Sequence, residues 1–156
     1  MIVLIRLISI SLKNNRMDKY ILGDLVTNKY YTKVLIVIRT VKNMVCIRNR
    51  DAFSDTYLSH KDDVVPMLLT TEILEKNGWK KEAMSRGVRD RHLVYTKPDI
   101  EEYGYFPIYI EKGIGDEFDV YPFTDNNVCK PIAYIKYVHQ LQHLLFGLGL
   151  NSEMEV

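Results

Sequence analysis

A chain of 156 residues, 47% hydrophobic and 26% charged, can close one core or two very small ones without help from disulfides or metal. This composition excludes disordered, collagen-like and coiled-coil classes, and no run reaches the ~18 apolar residues that a membrane span requires. The net charge of +1 hides a gradient: residues 1 to 50 carry ten Lys or Arg against Asp18 and Asp24, whereas residues 99 to 119 carry Asp99, Glu101, Glu102, Glu111, Asp116, Glu117 and Asp119 against Lys112 alone. A basic third of this kind suits an anionic partner, an acidic region of the same chain, or a second copy in a homo-oligomer, and solvated strand edges produce the same pattern.

The only cysteines, Cys46 and Cys129, form no disulfide framework and read as buried free thiols of a reducing cytoplasm. Residues 1 to 12 are apolar but are interrupted by Arg6, and neither a basic n-region nor a small-x-small cleavage site flanks them, so they do not read as a signal peptide. Met17 makes a natural start, which leaves 1–16 as an extension and the least securely packed segment. Short strands are expected at 21–26, 31–39 and 44–48. The run Val34-Leu-Ile-Val-Ile38 is β-branched, as in a strand closing a small barrel, and Val41-Lys42-Asn43 reads as a hairpin connection. Residues 51 to 63 are polar and read as a loop leading to a short strand at 64–65.

Local rules agree on a helix at 70–77. Thr70 supplies the N-cap, Leu69 and Leu74 the two staple positions, and Glu72 an acid in the first turn; Gly78 and Trp79 complete a Schellman stop. Strands follow at about 80–84, 92–96, 106–112 and 117–123, the last two joined by Gly113-Ile-Gly115 as an antiparallel hairpin. The final helix is expected over 132–147, with Gly147-Leu-Gly149 as its turn and an acidic, frayed tail at 151–156. The fold class that results is α+β: a small SH3-like or curled β N-terminal part, a short helix, an antiparallel β-meander and a C-terminal packing helix. The expected partition is a basic β-rich subdomain at 17–63 and an α+β subdomain at 64–150.

No catalytic or cofactor motif stands out. His139 and His143 are four residues apart, a spacing that can hold a divalent metal, but Gln140 occupies the place where a metalloprotease needs a glutamate. A helical wheel groups both histidines with Lys136, Gln140 and Gly147 on a narrow polar stripe facing outward. Gln142 instead falls among apolar positions, so its amide needs partners on a strand edge or loop backbone. Tyr30, Tyr31, Lys33, Arg39, Lys42, Arg48 and Arg50 interleave aromatic and basic residues, as on a nucleotide or nucleic-acid surface. Tyrosines are also ordinary strand residues, and neither glycine pair lies between a strand and a helix as a phosphate loop would.

The stretches Leu22-Gly-Asp-Leu-Val26, Leu69-Thr-Thr-Glu-Ile-Leu-Glu-Lys-Asn-Gly-Trp79 and Tyr137-Val-His-Gln-Leu-Gln142 together resemble a family of small, uncharacterised proteins encoded by phages, prophages and mobile elements of gut Bacteroidetes. The resemblance spans residues 17 to 150 and departs at 1–16. His143 stands where that pattern has Asn, which counts against a metal role. It carries over fold and genomic context and no catalytic residues. The expectation is therefore a non-catalytic binding protein without a cofactor in the host cytoplasm, acting on a host protein, a nucleotide or a nucleic acid. It would be a host-factor inhibitor or a counter-defence protein that sequesters an anionic nucleotide. The alternatives are a nucleic-acid-binding accessory and a metal-dependent enzyme using His139 and His143.

Overall fold

Strand alternation sets the first half of the chain. In the strand Tyr31–Val41 (β2), Leu35 and Val37 are buried while Val34, Ile36 and Ile38 on the opposite face are half-buried. The computed structural model describes residues 20–51, 55–85, 91–97, 108–122 and 130–156, with the side chains of Tyr31, Thr32, Ser85 and Arg91 set aside. The extension at 1–16, the acidic stretch 98–104 and Cys129 lie outside the described residues.

β2 pairs with Leu25–Asn28 (β1) and with Met44–Asn49 (β3), which in turn pairs with Thr56–His60 (β4). Lys61–Asp63 makes a 3-10 turn, and Val64–Pro66 (β5) returns to β1. The order β4-β3-β2-β1-β5, with a 3-10 turn before the last strand, makes a five-stranded antiparallel sheet with β4 and β5 at its edges, and with the second sheet and the two helices gives an α+β fold. Two residues, Lys42 and Asn43, connect β2 to β3, and Lys42 takes a left-handed φ of 51° to fit the tight hairpin. The core of this sheet is Tyr20, Val26, Leu35, Val37, Val45, Ile47 and Val64.

The second sheet is a meander of consecutive antiparallel strands, Lys80–Ser85 (β6), Arg91–Thr96 (β7), Ile108–Lys112 (β8), Phe118–Pro122 (β9) and Ala133–Ile135 (β10). The helix Thr71–Lys76 (α1) precedes it. Thr70 Oγ1 accepts the Ile73 N–H at 3.3 Å, and the Trp79 N–H reaches Leu74 O at 3.1 Å through Gly78 at φ 83°. Leu69, Leu74 and Trp79 are all buried, so both ends of this short helix are anchored. The final helix is Val138–Gly147 (α2).

Several expectations need correction. Residues 56–60 form β4 rather than a loop, an edge strand whose side chains are mostly exposed and so lack the alternation that reveals a strand. Residues 133–135 form β10 rather than the first turn of the helix. Ala133 and Ile135 are buried around an exposed Tyr134, a period of two, and the strand pairs with β9. The tail is not frayed: Met154 is 5% exposed, and Asn77 and Glu155 exchange two hydrogen bonds of 2.7 and 2.8 Å. Cys46 is a free thiol but is half-buried rather than buried.

The compact units also divide the chain differently from the expected 17–63 and 64–150. One unit takes the described residues up to Leu68 together with Tyr137–Met154 and Val156, and the other takes Leu69–Lys136 with Glu155. β5 belongs with the first sheet through its pairing with β1, and α2 joins the same unit through side-chain bonds to the backbone ahead of and within β1.

Candidate functional site

The apolar core face of the first sheet turns polar at one rim, and strand alternation fixes which residues stand there. Lys33 lies two positions before buried Leu35, Asn49 lies two after buried Ile47, and Tyr57 and Ser59 are directly opposite Ile47 and Val45. With Asn28, Tyr30 and His60 they line a pocket of about 340 Å³ whose floor is Leu35 and Ile47. That volume lies at the low end of the range of small-molecule sites.

The two amides at the rim are buried, at 7% exposure for Asn28 and 6% for Asn49, and the backbone orients each of them. Asn28 Oδ1 accepts the Tyr30 N–H at 2.9 Å while its Nδ2 donates to Ser59 Oγ at 2.9 Å. Asn49 Oδ1 accepts the Asp51 N–H at 3.1 Å, and no described residue takes the two protons of its Nδ2. Lys33 likewise makes no ion pair with a described residue, whereas Lys29 nearby in the chain is paired with Asp63 at 3.7 Å. Tyr30 is 73% and Tyr57 45% exposed, so two aromatic rings flank a pocket lined by an amide donor, by Lys33, which no described residue pairs, and by Asp63, whose carboxylate Lys29 pairs.

The basic and aromatic residues singled out in the sequence do not share one face. Tyr30 and Lys33 line the rim pocket. Arg39 and Arg48 lie on the opposite face, opposite Cys46 and Ile36 respectively, and Lys42 sits in the β2–β3 turn. Arg50, two residues beyond Arg48, lines a different cleft. The backbone of Tyr31 is in β2, and its side chain lies outside the described set. Asn28, Asn49, Tyr57, Ser59 and His60 were not singled out, since a rim becomes visible only once the strand register is known.

Within the same unit, α2 delivers a polar cluster to the turn before β1. Gln142 Oε1 accepts the Leu25 N–H at 3.1 Å, and its Nε2 donates to Gly23 O at 3.2 Å. His143 Nε2 bonds Asp24 Oδ1 at 2.7 Å, and Asp24 Oδ2 accepts the Ile21 N–H at 2.8 Å. The expected outward-facing histidine stripe is thus corrected. His139 is 3% exposed, its ring stacked on Tyr137 at 5.8 Å and edge-on to Tyr20 and His143 at 5.6 Å each. Burial pulls the His139 pKa down to about 4, opposed by the nearby Asp24 charge and reinforced by His143, so the ring is neutral at pH 7. Its Nδ1 is buried without a hydrogen-bond partner, which only an uncharged imidazole tolerates cheaply. Among the described residues, no group of three or more His, Cys, Asp or Glu is placed to hold a metal ion.

No helix among the described residues is long and apolar enough to cross a membrane. No protein-family model, curated protein or solved structure matches the chain.

Proposed function

We propose that this chain is a non-catalytic binding protein that captures a nucleotide-class anion in the rim pocket of its first sheet. What carries the reading is the combination of Tyr30 and Tyr57 with Lys33 and the Asn49 amide donor, neither of them taken by a described residue, around one pocket of about 340 Å³. Each part matches one part of a nucleotide. Aromatic faces stack on a base, an amide held by the backbone reads a base edge, and an ammonium neutralises a phosphate. A base stacked on tyrosine gains roughly 1–3 kcal/mol, so two rings and one charge are enough for useful affinity.

Sequestering a nucleotide signal is what a counter-defence protein of phage or mobile-element origin would do, in keeping with the resemblance carried by the 22–26, 69–79 and 137–142 stretches. The test is thermal unfolding of the purified protein against linear and cyclic mononucleotides. A ligand at 100 times its Kd adds about 2.7 kcal/mol, which for a chain of this size raises Tm by about 5–10 °C. The shift should vanish in Tyr30→Ala/Tyr57→Ala, whose side chains are exposed enough to be removed without unfolding the sheet. No shift with any nucleotide overturns the proposal.

A second reading, a nucleic-acid-binding accessory, draws on the exposed Arg39 and Lys42 at the other end of β2. It predicts retention of DNA or RNA that weakens steeply with salt and is lost in Arg39→Gln/Lys42→Gln.

A further inference from the structure

A second cleft, distinct from the rim pocket, opens in the same unit and has a volume of about 550 Å³. Its walls are apolar: Ile21 at 42% exposure, Leu22 at 74% and Phe146 at 71%, with half-buried Ile36 and buried Met154. Three large exposed apolar side chains gathered around one concavity make a contiguous apolar patch of the kind that marks a binding site. They come from the turn before β1 and from the last turn of α2, and α2 turns Phe146 outward while it buries Leu144 and Leu145.

The charges in the cleft are unequal in their availability. Asp24 is 1% exposed, and both of its oxygens are occupied, by His143 and by the Ile21 N–H. Glu153 is exposed, and no described residue lies within ion-pair distance of its carboxylate. Arg50 is half-buried, and its side chain makes no hydrogen bond or ion pair with a described residue, although its backbone N–H is anchored on Val34 O at 3.3 Å. An arginine fixed at its backbone, half-buried and paired by no described residue, beside apolar walls, is a fork-shaped donor open to a carboxylate.

From this arrangement we infer that the cleft is a binding site for an aliphatic carboxylate. The acid head would pair with Arg50 and the hydrocarbon tail would lie along Ile21, Leu22 and Phe146. One fork of parallel N–H donors matches one carboxylate, and the walls supply the area that an uncharged alcohol and a long-chain cation could use equally well, so the head group decides the selectivity. This site is independent of the nucleotide pocket, because it shares no lining residue with it.

Titration calorimetry with decanoate, decanol and decyltrimethylammonium tests it. Decanoate should bind saturably at one site, at least roughly tenfold more tightly than either control. Arg50→Gln should abolish that preference, Leu22→Ser/Phe146→Ser should weaken decanoate by a comparable factor, and Lys33→Met should leave it unchanged. The two apolar positions are exposed, so loss of binding there is not loss of the fold, and unchanged melting of each variant checks this. Decanol binding as tightly as decanoate, full affinity in Arg50→Gln, or sensitivity to Lys33→Met would each overturn the assignment.

Discussion

His139 shows how a polar side chain can be part of a core. A wheel built on polarity alone sets it beside Lys136 and Gln140 on a stripe facing water. The sequence does not show that Tyr20 and Tyr137 close their rings over that stripe, leaving the imidazole 3% exposed. The consequence is a pH dependence whose sign follows from the lowered pKa. The folded-state value is about 4 against 6.5 for a free imidazole, so between these pH values the unfolded chain binds the proton and the folded chain does not. Stability from this group is present in full above pH 6.5, falls as pH drops toward 4, and levels off below that. That lowering corresponds to about 3 kcal/mol. Replacing His139 with Phe keeps an aromatic ring between Tyr20 and Tyr137 and removes the titrating group. Urea unfolding at pH 7 and pH 4 should therefore show a smaller acid-induced loss in His139→Phe than in the parent by about that amount. An equal loss in both proteins would place the acid sensitivity elsewhere.

At the level of elements, what could be read from the sequence was what is local. Helix α1 was legible because cap, staple, first-turn acid and glycine stop all lie within eleven residues, 69 to 79, and each acts on its neighbours. The β2–β3 and β8–β9 hairpins were legible for the same reason. Strands β4 and β10 were not: β4 is an edge strand with little burial to impose a pattern, and β10 is three residues long against a helix that begins three residues later. Helix α2 is intermediate. Its apolar periodicity and the need of Gln142 for partners follow from the sequence, whereas the identity of those partners, 117 and 119 positions away, does not. Gln142→Leu tests how firmly this amide holds the helix to the sheet. The Leu25 N–H is buried and would lose its acceptor on Gln142, while Gly23 is exposed and its carbonyl can turn to water. The expected cost is therefore that of one orphaned donor, about 1–3 kcal/mol in chemical denaturation. A change below about 0.5 kcal/mol would mean that apolar packing alone seats the helix.

In the unit built on the first sheet, the β1–β5 pairing and the bonds from α2 back to 23–25 skip along the chain, which is why the partition was the least legible property of all. The unit built on the first sheet is discontinuous: it draws on residues up to Leu68 and again on Tyr137–Met154, with Leu69–Lys136 forming the other unit in between. No composition shift or linker marks those crossings, because both fall beside regular elements, α1 on one side and β10 with α2 on the other. The division has a measurable consequence. Val138, Leu141, Leu144 and Leu145 are each no more than 2% exposed, and at about 1.5–3 kcal/mol per buried side chain their loss amounts to about 6–12 kcal/mol. That is comparable to the entire stability of a small protein. A chain ended after Lys136 keeps every strand of both sheets, yet it also leaves the Leu25 N–H and Asp24 without Gln142 and His143. Hydrogen exchange on that truncated chain should show β1, β2 and β3 unprotected while β7, β8 and β9, which lie in the other unit, retain protection. Protection kept in β1 to β3 would show that the first sheet is self-sufficient and that α2 is an accessory to it.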